Sequence, residues 1–175
     1  MDNLARARKI TCMVFDVDGT LTDGRIYMGP SGEACKAFSA KDGLAIKLAG
    51  RLGYKTAFVT GRAGQIVKAR ARELEITEIY QGVTDKGPAI GEICQKFAIT
   101  PEQIAYVGDD LNDLAAMRLA GFACAPRDAA DAVKEAAHFV SGFGGGQGAA
   151  REVVEFILKA QDKWDAGVEL LLQAK

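Results

Sequence analysis

The chain is poor in the residues that build several common kinds of site. It has one histidine, one tryptophan and four prolines in 175 residues. A histidine-based metal cluster within one chain is therefore excluded, and His138, beside Phe139 and Val140, reads as structural. Cys12, Cys35, Cys94 and Cys124 are widely scattered with no C-x-x-C pair, so they read as reduced thiols rather than as a disulfide framework or metal site. A net charge of −1 gives no electrostatic case for nucleic acid or an anionic membrane. No apolar run approaches the roughly 20 residues that a membrane span needs. Residues 1–9 are polar and lack the apolar core of a secretory signal. There is no G-x-x-x-x-G-K-[ST], so P-loop nucleotide binding has no support. Internal repeats and low-complexity linkers are also missing. What remains is a soluble, cytoplasmic, globular protein. Residues 1–175, 49% apolar, read as a single domain with a sizeable core.

Short β-like runs alternate with helical patterns, which predicts an α/β fold with a Rossmann-like, doubly wound parallel sheet. Strands are expected at 11–16, 56–60, 78–81, 105–108, 122–125 and 138–140. Apolar residues at three- and four-residue spacing predict helices over 44–52, 65–74, 88–97 and 113–119. Thr100-Pro101-Glu102-Gln103 combines an N-cap, a proline at N1 and a capping-box glutamine, so a short helix is expected there. A last helix is expected from residue 149 to 172, with polar residues extending it to 174. Two stretches break the alternation. Residues 25–39 read as a β-hairpin flap turning at Gly29-Pro30-Ser31-Gly32. Residues 141–148 are too glycine-rich for regular structure and form a flexible tail.

Ligands of an open parallel sheet sit at the carboxyl ends of its strands. Four polar motifs fall at or just past such ends: Asp16-Val17-Asp18-Gly19-Thr20, Thr60-Gly61-Arg62, Asp85-Lys86, and Gly108-Asp109-Asp110-Leu111-Asn112-Asp113. Clustered carboxylates repel one another unless something cationic sits between them. The set matches what phosphoryl transfer needs. Asp16 would attack phosphorus and form an aspartyl phosphate. Asp18 would protonate the departing alkoxide and later take a proton from the hydrolytic water. Asp16, the backbone carbonyl of Asp18 and Asp109 could hold Mg²⁺, while Asp110, Asn112 and Asp113 orient its water ligands. The Thr60 hydroxyl, the Gly61 N–H and the Lys86 ammonium would hold the phosphoryl oxygens. Thr20-Leu21-Thr22 reads as the turn that feeds the hairpin.

The order and residue types of these four motifs resemble those of the haloacid dehalogenase superfamily of phosphotransferases, over residues 10–125. Many relatives carry a separate cap domain. Here the intervals between motifs hold only the hairpin, helices and strands, which leaves no room for one. The missing cap points to shielding by a neighbouring subunit, with the hairpin and the glycine-rich tail as the protruding parts. Asp23-Gly24-x-Ile26-Tyr27, Gly32-Glu33, Lys36-x-Phe38, Lys41-Asp42-Gly43 and Gly145-Gly146-Gln147-Gly148-Ala149-x-Arg151-Glu152 resemble the capless 3-deoxy-D-manno-octulosonate-8-phosphate phosphatases. That resemblance implies Mg²⁺-dependent release of the free sugar acid for lipopolysaccharide assembly. It also implies a homotetramer whose tails enter neighbouring active sites. Gln147 stands where an arginine often occurs in that family.

A sugar-acid substrate calls for a basic group near its carboxylate, and Arg62, Arg70 and Arg151 are the candidates. Arg62 follows Thr60-Gly61 and should point into the site. Related phosphatases of nine-carbon keto acids tend to carry glutamate at that position, so Arg62 favours the eight-carbon ester. Arg70 could reach a neighbour's site, or simply belong to a solvated basic face with Lys68 and Arg72. Arg151 could equally be a surface residue at a helix start. Two readings compete from other classes. A receiver-type signalling module conflicts with Asp18, which would hasten hydrolysis, and with the late position of Asp109 and Asp110. A non-catalytic oligomerisation module conflicts with the presence of every catalytic position.

Overall fold

The structure, a computed structural model, describes residues 2–173. The first strand, β1 (Cys12–Phe15), is buried along its whole length, as expected of a central strand covered on both faces. Around it lie β4 (Lys55–Thr60), β5 (Glu78–Gln81), β6 (Ile104–Val107), β7 (Phe122–Ala125) and β8 (Phe139–Val140). These six strands form one parallel sheet in the order β5-β4-β1-β6-β7-β8. The winding direction reverses between β1 and β6, which opens a crevice at their carboxyl ends. Phe15 pairs with both Phe58 and Val107, so the three central strands finish nearly level. That register brings Asp16, Thr60 and Asp109 out at one edge.

Alternate side chains of β1 enter opposite cores. Met13 and Phe15 pack with α1 (Asn3–Ala7), α2 (Ala40–Arg51), α3 (Gln65–Glu73) and α7 (Ala149–Ala160). Cys12 and Val14 pack with α4 (Gly87–Phe97), α5 (Leu114–Leu119) and α6 (Asp131–Ala136). Pro88 sits in the first turn of α4, where its missing N–H costs nothing. After β1 the chain forms an antiparallel hairpin, β2 (Tyr27–Gly29) and β3 (Gly32–Cys35), that stands apart from the main sheet.

Several expectations need correction. The long terminal helix is two helices, α7 and α8 (Trp164–Leu172), and residue 174 lies outside the described residues. The break falls at Gln161, whose amide donates to the carbonyls of Ala7 and Ile10 (both 2.8 Å) and accepts from the Tyr54 hydroxyl (2.7 Å). Asp162 then adopts a left-handed conformation with φ 55°. Helix α2 starts at Ala40 rather than residue 44, because the Ser39 hydroxyl accepts from the Asp42 N–H and caps it. Residues 101–103 form only one tight turn, with the capping box intact. The short helices α1 and α6 were not expected.

The glycine-rich segment is irregular, as expected, but it does not protrude. Gly144 and Gly145 are buried, the Gly145 N–H donates to Asp128 (2.9 Å), and the Gly146 N–H donates to the Thr20 carbonyl (3.0 Å). A Cβ at Gly145 would fall on the Gly19 carbonyl oxygen, so only glycine allows this segment to lie across the Asp18-Gly19-Thr20 loop. The buried Asp42 secures its far end by accepting from the N–H groups of Gly148 (3.2 Å) and Arg151 (2.8 Å) at the start of α7.

Candidate active site

Asp16 directly follows β1 and is 4% exposed. Its Oδ1 accepts from Lys86 Nζ at 2.5 Å. Lys86, just ahead of α4 and 1% exposed, also donates to Asp113 Oδ1 at 2.7 Å. The same Asp113 oxygen accepts from the buried Tyr106 hydroxyl (2.7 Å), and Asp113 Oδ2 accepts from the N–H groups of Asp109 (2.9 Å) and Asp110 (3.2 Å). Asp113 thus fixes both Lys86 and the loop after β6.

Asp109 projects from that loop over Gly19, where a Cβ would clash with its carboxylate. The Gly19 φ of 96° suits the same residue. Asp109 Oδ1 also accepts from the Thr20 hydroxyl at 2.9 Å. Thr20 therefore orients a candidate metal ligand as well as taking part in the turn. Thr22 does the knitting of that turn, its hydroxyl accepting from the N–H groups of Gly19 and Gly24, both at 3.2 Å.

These side chains border an open cleft of about 370 Å³ whose lining includes Asp16, Asp18, Thr60, Gly61, Arg62 and Asp109. Asp110 and Asn112 stand at its edge, and Asp110 also caps the turn after it through the Leu111 N–H (2.8 Å). Thr60 is buried, with its hydroxyl accepting from the Arg62 N–H at 3.3 Å. Of the three candidate arginines only Arg62 lies in the cleft. Arg70 donates to the Ser39 carbonyl (3.1 Å) and Glu73 (2.9 Å) and covers the Phe38 ring, pinning α3 to the start of α2. Arg151 stacks over Trp164 and bonds Glu155 (3.2 Å). It faces a separate groove of about 740 Å³ floored by Phe139, Phe143 and Phe156, which contains none of the strand-end carboxylates.

Burial pushes the Asp16 carboxyl well up, the charge of Asp113 adds to that, and Lys86 opposes it. Burial likewise raises Asp109, to about 6, against the Thr20 hydrogen bond. For Lys86, burial works against the charged form, but the charges of Asp16 and Asp113 outweigh it and the net shift is upward. Two carboxyls held above their ordinary range, offering only oxygen donors, fit a hard divalent cation. Oxygens of Asp16, Asp109 and Asp113 lie within 4.8 Å of one another. Asp113 nevertheless makes a poor ligand, since Lys86, Tyr106 and two backbone N–H groups already occupy its acceptor positions.

Three residues to which the sequence assigned no role at the site stand at or beneath it: Thr20, Tyr106 and Lys36. Lys36 leaves the hairpin just after β3, and its ammonium contacts the Asp18 carboxylate. The threonine was in view within the first motif. Lys36 stood in the Lys36-x-Phe38 motif, with nothing there to indicate its contact with Asp18, and Tyr106 carried no signal in its spacing.

A crevice of strand-end carboxylates facing a buried lysine defines a phosphotransferase of the haloacid dehalogenase type, and residues 64–152 match the haloacid dehalogenase-like hydrolase family. The chain belongs to that family. It is 43% identical over 94% of its length to the 3-deoxy-D-manno-octulosonate 8-phosphate phosphatase KdsC of Escherichia coli K12, 87% of which is covered. The crystal structure of that phosphatase from Moraxella catarrhalis, in complex with magnesium, phosphate and KDO, superposes with a TM-score of 0.92 at 38% identity, covering 96% of this chain and 97% of that one. A cobalt-bound homologue from Haemophilus influenzae gives a TM-score of 0.90 at 36% identity, covering 94% and 99%. Among the described residues no helix is long and apolar enough to cross a membrane.

Proposed function

We propose that this protein is a Mg²⁺-dependent phosphatase that hydrolyses 3-deoxy-D-manno-octulosonate 8-phosphate to the free sugar acid and phosphate. The observation that carries this reading is the convergence of Asp16, Asp18, Thr60, Lys86 and Asp109 on one strand-end crevice. The high similarity to phosphatases of that ester supports the substrate.

In this reading an Asp16 oxygen attacks phosphorus, the ester bond to the sugar oxygen breaks, and the Asp18 carboxyl gives its proton to that oxygen. Asp18, now a carboxylate, takes a proton from water as the water attacks the aspartyl phosphate. Phosphate departs, and Asp16 and protonated Asp18 are restored. Lys86, Thr60 and the Gly61 N–H hold the phosphoryl oxygens. Lys86 is kept in line by Asp113, and Asp113 by Tyr106. Asp16, the Asp18 carbonyl and Asp109 would hold Mg²⁺, which supplies positive charge beside the phosphoryl oxygens, while Asp110 and Asn112 orient its waters.

Its place in the cleft lining supports Arg62 as the residue that meets the substrate carboxylate. Arg70 and Arg151 do not reach their own cleft, so any contact they make with substrate would be in a neighbour's. We read the protein as a cytoplasmic homotetramer whose hairpins associate and complete adjacent sites, serving lipopolysaccharide biosynthesis. Exposed Tyr27 and Met28 on the hairpin support that association.

Phosphate release from the eight-carbon and nine-carbon keto-acid phosphates, with Mg²⁺ and with EDTA, tests the function. Preference for the eight-carbon ester, abolished by EDTA and by Asp16→Asn, is expected. Equal turnover of both esters refutes the substrate assignment, and turnover surviving in Asp16→Asn refutes the mechanism. Sedimentation that finds an active monomer refutes the shared site.

A further inference from the structure

Each of the two catalytic-loop aspartates has its own lysine. Asp16 is held from the core by Lys86, and Asp18 is held from the hairpin by Lys36. Lys36 lies at the end of a surface hairpin, where a lysine ordinarily extends into water. Here its side chain is 0% exposed, and its ammonium sits between Asp18 and Glu33, the latter at 2.5 Å. A lysine withdrawn from water this far is stable only when paired, and Glu33 alone would pair it on the hairpin itself. Among the described residues the Asp18 carboxylate has no other hydrogen-bond partner.

We propose that Lys36 is a positioning residue for the proton-transfer step: it aims the Asp18 carboxyl at the leaving-group side of the cleft and links that aim to the hairpin. This rests on the phosphatase reading with Asp18 as the acid. Lys36 itself exchanges no proton. The proton passes from Asp18 to the ester oxygen and is replaced from water. If the hairpin lifts, Lys36 goes with it and Asp18 loses its constraint, so the acid is aligned only while the flap is seated.

Misalignment of a general acid has a signature that lost binding or loosened structure lacks. It harms esters in proportion to how poorly their alcohols leave without a proton. The test compares the full-length protein and its Lys36→Met variant, with Mg²⁺, on 4-nitrophenyl phosphate, phenyl phosphate and glycerol phosphate. In kcat/KM, which reports only the steps through release of the alcohol and not the later hydrolysis of the aspartyl phosphate, the variant should lose about 10²-fold on glycerol phosphate, a loss of the size general acids contribute, and stay within about threefold on 4-nitrophenyl phosphate. Added to Asp18→Asn, Lys36→Met should cost nothing more, because both changes remove the same step.

A uniform loss of kcat/KM across the three esters, no loss at all, or additive losses in the double variant would each overturn the proposal. Lys36→Gln, which keeps a neutral donor on the hairpin, gives the same comparison if the methionine variant does not fold. Wild-type turnover of these esters, abolished by Asp16→Asn, checks the phosphatase reading separately.

Discussion

Raising the pH of the metal-free protein should cost it stability, and Asp109 provides the means to measure that cost. Burial lifts its carboxyl from the ordinary 3.8 to about 6. In the unfolded chain the group ionises near its ordinary value; in the folded protein it keeps its proton longer. Between roughly pH 4 and 6 the folded state therefore holds more protons than the unfolded state, and stability falls as the pH rises through that window. The displacement is worth about 3 kcal/mol. Asp16, also raised, adds a loss in the same direction. The contribution of Asp109 is isolated by comparing wild type with Asp109→Asn in EDTA by urea denaturation. The variant should gain on wild type by about 2.4 kcal/mol from pH 4 to 7, or about 1.2 M in urea midpoint at a slope near 2 kcal/mol/M. With millimolar Mg²⁺ the gain should vanish or reverse, since the cation rewards the ionised wild-type carboxylate. Parallel pH profiles for the two proteins in EDTA would refute the account of a desolvated acid awaiting a cation.

Lys86→Met leaves the buried Asp16 and Asp113 without their shared cation. The metal-free variant should lose about 3–5 kcal/mol in the same denaturation assay, and a loss under about 1 kcal/mol would show the carboxylates to be paired some other way. Its turnover with Mg²⁺ should fall about 10²–10³-fold. Gly145→Ala puts a methyl group onto the Gly19 carbonyl, with the Thr22 carbonyl 2.8 Å away, and should destabilise by about 1–3 kcal/mol while lowering turnover of every ester. Gly142→Ala meets nothing nearer than 3.8 Å and serves as the control; equal effects from the two would dismiss the close approach at Gly145.

The sheet was legible because its strands are short apolar runs closed by polar residues. The expected runs at 78–81 and 122–125 coincide with β5 and β7 at both ends. Boundaries failed where a side chain from far along the chain intervened, as when Gln161 bonds Ala7 and Ile10 and ends α7 early. The strand-end carboxylates could be grouped from their order alone, since parallel strands carry such residues to one edge. Their differing roles could not. Asp110, Asn112 and Asp113 read alike in sequence, yet Asp113 is buried and fully bonded, whereas the other two face the cleft. The pairing of Lys36 with Asp18 depends on how the hairpin folds back, and the lodging of Gly145 against Gly19 depends on a contact across most of the chain. Neither leaves a period or a motif to read.

The brace formed by residues 144–146 also sets a timetable. The segment of Asp16 and Asp18 is synthesised by residue 23, but β1 waits for β6, which ends at Val107, before both its neighbours exist. The loop of Asp18, Gly19 and Thr20 then stays unsupported until Gly145 and Gly146 emerge to lie across it. At about 5–20 residues per second, several seconds of synthesis separate Asp16 and Asp18 from their completed setting. A chain cut short between Asp113 and Gly145 would carry Asp16, Asp18, Lys86 and Asp109 and still lack the brace over the loop of Asp18, so such a truncated product should turn over phosphate esters poorly.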